Sequence, residues 1–120
     1  MSWDLHIIDK DGKCAQIKEA HQEGGTMCLA TKDADGNWQP GTTDASLNIT
    51  WNYGKIFHFR SQLEGKSCKE VIPLLEEQVK KLGVKRDKDY WAATEGNVGY
   101  ACSIILNWCK QHPEGVITIW

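Results

Sequence analysis

Arginine is nearly missing from this chain. Only Arg60 and Arg86 carry a guanidinium, and the 14 basic residues lie scattered among 16 acidic ones, leaving a net charge of −2. Nucleic-acid polymers are held by clustered Lys and Arg, so this pattern excludes an electrostatic DNA or RNA footprint. The one basic stretch, Lys80-Lys81 through Lys85-Arg86-Asp87-Lys88, contains an acid and reads as the solvated end of a helix, with a local phosphate contact as the alternative. No apolar run approaches the ~18 residues of a membrane span, which argues against a membrane partner. The start, Met-Ser-Trp-Asp-Leu-His, has neither the basic nor the apolar region of a secretory leader, and the cytoplasm is the expected location.

Metal and catalytic signatures are missing too. The five cysteines, at 14, 28, 68, 102 and 109, form no Cys-x-x-Cys pair and are odd in number, which fits reduced, buried thiols rather than a zinc site or a disulfide framework. Cys102 and Cys109 fall on one face of a predicted helix as small hydrophobes. His6, His21, His58 and His112 have no metal-ligand spacing. Asp9-Lys-Asp-Gly12 and Asp33-Ala-Asp-Gly36 look like the opening of a calcium loop, but neither continues into the EF-hand ligand set, so both read as hairpin turns. Ser46, Ser61, Ser67 and Ser103 lack a nucleophile elbow, and phosphate-cradling glycine patterns are absent. Neither a cofactor nor a metal is expected.

What is present fits one α+β domain over residues 1–120, with antiparallel hairpins in the N-terminal half packed on two helices of the C-terminal half and a short final strand. Trp3, Leu5 and Ile7 alternate with polar residues, predicting a hairpin over 2–20, and Thr26 to Thr31 predicts another strand ahead of the Asp33–Asn37 turn. From Ala45, Leu47, Ile49 and Trp51 define an apolar face and Asn48, Thr50 and Asn52 a polar row that could face a ligand. Ser67-x-x-Glu70 resembles a capping box for a helix over 69–82, with Pro73 obscuring its onset and Gly83 as its stop. A second helix runs from its N-cap Thr94 to Gln111, where Gly96 and Gly99 suggest close packing or a ligand near its start. Val116 to Trp120 is a last β run, able to join the sheet or to build a homo-oligomer.

Two segments concentrate aromatics, carboxamides and glycines: Asn48-Ile-Thr-Trp-Asn-Tyr-Gly54 and Asp89-Tyr-Trp-Ala-Ala-Thr-Glu-Gly-Asn97. A helix start with free amides can receive an anion, and flanking aromatics can stack on a planar ring. The candidate ligand-binding residues are therefore Asn52, Tyr53, Arg60, Trp91, Thr94, Glu95, Asn97 and Tyr100. Asn52, Thr94 and Asn97 would orient the ligand, Tyr53, Trp91 and Tyr100 would stack, and Arg60 would neutralise charge. Glu95 would line the helix start, where it also opposes a phosphate. The plain structural alternative is that Thr94 and Glu95 cap, Trp91 and Tyr100 pack, and Asn52-Tyr53-Gly54 merely ends a strand. Trp3, Trp51 and Trp108 read as core, and Trp38, Trp91 and Trp120 as uncommitted.

In order and spacing, N-I-T-W-N-Y-G at 48–54, E-V-I-P-L-L-E at 70–76, D-Y-W-A-A-T-E-G-N at 89–97 and H-P-E-G-V at 112–116 resemble a group of small phage and prophage proteins of unassigned function. The resemblance spans mainly residues 45–118 and brings no catalytic residues with it. It implies an accessory phage protein acting in the cytoplasm of the host bacterium. By analogy, such proteins often counter host defence, some by sequestering nucleotide signals. The expected function is thus capture, without turnover, of a small anionic, nucleotide-type ligand. The alternatives are a protein-interaction module that inhibits a host protein and, third, a small hydrolase built on Glu95 or Glu76.

Overall fold

The computed structural model describes residues 1–17, 22–23, 26–27, 34–37 and 43–120. Its strands are β1 (Ser2–Ile8), β2 (Gln16–Ile17), β3 (Gln22–Glu23), β4 (Thr26–Met27), β5 (Thr43–Asp44), β6 (Ser46–Thr50) and β7 (Val116–Ile119). The helices are α1 (Phe59–Leu63), α2 (Cys68–Leu82) and α3 (Glu95–Gln111), with a 3₁₀ turn over Trp51–Lys55. This is a small α+β fold.

Alternation sets the sheet. Trp3, Leu5 and Ile7 of β1 point to one face and are buried, as are Leu47 and Ile49 of β6 and Ile117 and Ile119 of β7. β1 lies centrally, antiparallel to β6 in the register Trp3↔Ile49 and Leu5↔Leu47, and antiparallel to β7 in the register Leu5↔Ile119 and Ile7↔Ile117. The order is β3-β4-β6-β1-β7, with β2 and β5 as a separate pair.

The hairpin expected over 2–20 is cut short. The turn at Asp9 forms, with its carboxylate accepting from the Asp11 and Lys13 amides, and Ile8 bridges Cys14. Beyond that the chain leaves β1, and β2 pairs with β5 instead. At Leu5 and His6 both edges of β1 are taken, one by β6 and the other by β7. Residues 18–20, the strand expected beyond Met27, and His21, Cys28, Asp33 and Trp38 lie outside the described residues.

The helices cover the apolar face. Ser67 caps α2: its hydroxyl accepts from the Glu70 amide, and Glu70 accepts from the Ser67 amide at 2.8 Å, closing the reciprocal box. α2 therefore begins at Cys68 and carries Pro73 inside it, exposed, where the ring meets water rather than a neighbouring element. Gly83 ends α2 at φ 73°, a conformation that costs a side-chain-bearing residue strain. Val71, Leu75 and Leu82 of α2 join Val98, Ala101, Ile105 and Trp108 of α3 in one core with the sheet. Cys102 and Cys109 are buried there as expected.

β7 is an edge strand with its outer rim engaged. Gly65 donates to the Ile117 carbonyl at 2.8 Å, the Ile117 amide donates to Lys66 at 2.9 Å, and Cys68 donates to Gly115 at 2.8 Å. The Ile117 main-chain groups are thus spent within the chain, which blunts strand-to-strand pairing by a second copy.

Candidate functional site

Where β6 ends, Thr50 turns the chain. Its buried hydroxyl accepts from the Asn52 amide at 3.4 Å and starts the 3₁₀ turn, which breaks the period of two and swings Trp51, Asn52 and Tyr53 off the end of the sheet. Tyr53 becomes core. Trp51, expected on the apolar face, is instead 47% exposed, resting against Trp3 with ring centroids 6.4 Å apart. The polar row is also accounted for: Asn48 donates to the Ser2 hydroxyl at 2.8 Å and to the Asp4 carboxylate at 2.9 Å across the β1–β6 ladder.

The loop between α2 and α3 is wired by side chains because it has no ladder of its own. Asp87 accepts from the Asp89 amide and Asp89 from the Trp91 amide, two Asx turns in succession. Asn97, 2% exposed, accepts from the Asp87 amide at 2.9 Å and donates to the carbonyls of Asp89 at 3.1 Å and Ala92 at 2.9 Å. Thr94 caps α3 by accepting from the Asn97 amide at 3.1 Å. The carbonyls of Tyr90 and Trp91 are left facing the end of the sheet.

Here the two segments meet. The Tyr53 hydroxyl donates to the Tyr90 carbonyl at 2.5 Å, and the side-chain Nδ2 of Asn52 donates to the Trp91 carbonyl at 2.9 Å. Burial, and behind it the charge of Asp89, pushes the Tyr53 hydroxyl up to about 12, so it stays a donor across the ordinary pH range. Tyr90 and Trp91 pack ring to ring at 5.0 Å, and Trp91 keeps 47% of its surface exposed. The junction therefore shows two half-exposed indoles, Trp51 and Trp91, on backbone segments bolted to each other.

Of the sequence-predicted site residues, Asn52, Tyr53, Trp91, Thr94 and Asn97 form this one network. Tyr100 lies one turn into α3 with the Arg86 guanidinium 4.7 Å above its ring. Glu95 is exposed in the first turn of α3. Arg60 sits on α1, in an exposed ion pair with Glu64 at 2.6 Å. Gly96 and Gly99 report close packing: a side-chain carbon on Gly96 would overlap the Lys85 carbonyl, and one on Gly99 the Gly83 carbonyl. The protein's own main chain fills that flank of the helix start.

The exposure of Trp51 and the turn-forming role of Asp87 were missed by sequence reasoning, while Asp89, Tyr90 and Arg86 lay in segments it marked without being assigned to the site. Asp87-x-Asp89-x-Trp91 holds the only readable signal, two Asx turns in a row, whereas the exposure of Trp51 depends on a 3₁₀ turn that alternation cannot announce. Elsewhere, a cavity of about 280 Å³ opens between the Asp9–Lys10 turn and the Gln111–Gly115 segment, beside a 2.6 Å contact of His112 Nε2 with the Gln16 carbonyl. Ser61 lies in the first turn of α1, its amide donating to Nδ1 of the N-cap His58 and its hydroxyl to the His58 carbonyl. Among the described residues, no three His, Cys, Asp or Glu side chains converge to hold a metal ion, and no helix is long and apolar enough to cross a membrane.

No family model, curated protein or solved structure matches this chain.

Proposed function

We propose that this chain is a non-catalytic binding module that contacts a protein partner through the indoles of Trp51 and Trp91. The observation that carries the reading is the pairing of 47% exposure at both rings with the Asn52–Trp91 and Tyr53–Tyr90 hydrogen bonds that fix their backbones. Exposed aromatic bodies on a rigid support are what protein interfaces use as anchors, since little side-chain entropy is lost on binding. A small polar ligand needs unspent, convergent donors, and here the carboxamides of Asn52 and Asn97 are committed to main-chain carbonyls. The resemblance to phage accessory proteins makes a host-cell protein the partner to test. Capture of a small anionic, nucleotide-type ligand is the second reading, favoured by the Arg86 guanidinium held over Tyr100 in the loop that carries Trp91.

The test is affinity capture from host lysate with the native chain and with Trp51→Ala/Trp91→Ala, alongside native mass spectrometry of the purified protein. A specific protein retained by the native chain and weakened at least about 30-fold by the double variant, with circular dichroism unchanged, supports the first reading. Equal retention by the double variant overturns it, and a co-purifying nucleotide-sized mass lost in Trp91→Ala supports the second.

A further inference from the structure

Each of the two exposed indoles is backed by a second ring. Trp91 packs on Tyr90 with centroids 5.0 Å apart, and Trp51 on the buried Trp3 at 6.4 Å. Trp3 is itself held hard against the 3₁₀ turn, since a side-chain carbon on Gly54 would stand 2.9 Å from its ring. The outer rings are therefore stiff as well as exposed. Among the described residues, neither Trp51 Nε1 nor Trp91 Nε1 donates to another group, so each ring offers a polar handle beside its apolar face. Charge is uneven around them. Asp87, Asp89 and Glu95 are exposed on the Trp91 side with Lys88 as the single base from 87 to 95, and Lys55 lies at the other end of the 3₁₀ turn from Trp51.

Resting on the reading of this junction as a protein-binding surface, we propose that its partner is a proline-rich segment in polyproline II form with a Lys or Arg at one end. Proline rings stack on Trp51 and Trp91, and the cation lies beside Asp87, Asp89 and Glu95. Polyproline II has no internal hydrogen bonds, so its carbonyls stay open to the two indole N–H donors, and its stiffness keeps the ordering cost low. The acidic flank complements the cation and fixes which way the segment runs.

The other common ways of holding a peptide fit this junction poorly. Strand addition needs an open edge, and β6, which leads into Trp51, lies between β4 and β1. A helical partner has spent its carbonyls internally and would leave both indole N–H groups without acceptors. A phosphorylated partner calls for clustered arginine, whereas Arg60 is paired with Glu64 and Arg86 lies over Tyr100.

The experiment titrates the intact chain with a proline homopolymer peptide about three polyproline II turns long that carries one terminal arginine. It follows the six indole N–H signals by heteronuclear NMR, with those of Trp51 and Trp91 assigned from Trp51→Phe and Trp91→Phe. The expected result is a saturable shift of these two signals, with the other four unmoved. Each Phe variant keeps a ring but loses the donor and should bind at least about fivefold more weakly, with circular dichroism unchanged. Glu95→Gln should weaken the arginine peptide about threefold and leave its uncharged counterpart unaffected, and added salt should act on the native chain in the same selective way. An equal response to a Gly/Ser peptide of the same length and charge, shifts confined to other indoles, or no shift at all overturns the proposal. If lysate capture depends on Trp51 and Trp91 while this peptide leaves both signals still, the proline-rich partner is wrong and the protein-binding reading stands.

Discussion

Asn97 shows how much one side chain can decide. It is 2% exposed, gives both amide hydrogens to the Asp89 and Ala92 carbonyls, and accepts from the Asp87 amide. Asn97→Ala strands those three main-chain groups at once in a partly buried place, where each lost partner costs about 1–3 kcal/mol. Because water can re-enter part of the loop, the expected loss of stability is about 3 kcal/mol in urea unfolding. Asn97→Asp should be no better at neutral pH, since a carboxylate accepts but cannot donate to two carbonyls. A change below about 0.5 kcal/mol for Asn97→Ala would show that the loop holds without this carboxamide. From the sequence, a carboxamide beside glycines at a helix start reads equally as a ligand-orienting group. Its partners lie at 87, 89 and 92, in a loop with no hydrophobic period to place them.

At the scale of elements, α3 sets propensity against packing. In an exposed helix, alanine is favoured over glycine by about 1 kcal/mol, so Gly96→Ala and Gly99→Ala would stabilise if only the helix mattered. The neighbouring main chain reverses that sign. A side-chain carbon at 96 overlaps the Lys85 carbonyl and one at 99 the Gly83 carbonyl, and backbone cannot rotate away as a flexible side chain can. Each substitution is expected to cost a net ~2 kcal/mol or more, read as a lower melting temperature. Gains for both would mean that the 83–86 segment is readily displaced.

The same elements show what was legible. The capping box at Ser67, the helix expected over 69–82 and the stretch capped by Thr94 follow local rules, and the structure forms all three, the first helix starting one residue earlier at Cys68. The alternation of β1 and β6 likewise picked the buried residues Trp3, Leu5, Leu47 and Ile49. Strand partnership did not follow from pattern, because β1 takes β6 and β7 from distant sequence over its own hairpin. Nor did the exposure of Trp51 or the meeting of the two aromatic segments. All are tertiary events, set by how distant pieces dock rather than by any window of adjacent residues.

At the scale of the whole molecule, the junction fastens the end of the sheet to the segment that leads into α3, and Tyr53 is its buried bolt. Tyr53→Phe removes the hydroxyl that donates to the Tyr90 carbonyl and should cost about 1 kcal/mol at neutral pH. The native Tyr53 hydroxyl is raised from an ordinary value of 10 to about 12, first by burial and then by Asp89, so the folded state prefers the neutral ring. That preference is intact below pH 10. As pH rises from 10 to about 12, tyrosinate forms in the unfolded chain first, and the contribution of Tyr53 to stability drains away. Cys102, raised by burial from 9 to about 12, weakens the native chain over an overlapping range, so alkaline instability alone does not isolate Tyr53. The difference between the native chain and Tyr53→Phe does, because both carry Cys102. Denaturation midpoints of the two proteins should lie apart at pH 8, draw together above pH 10 and cross before pH 12, because a shift of that size outweighs the single hydrogen bond. A gap that stays constant through this range would mean that Tyr53 ionises as readily folded as unfolded, and that the sheet end and the α3 loop are not sealed together at this hydroxyl.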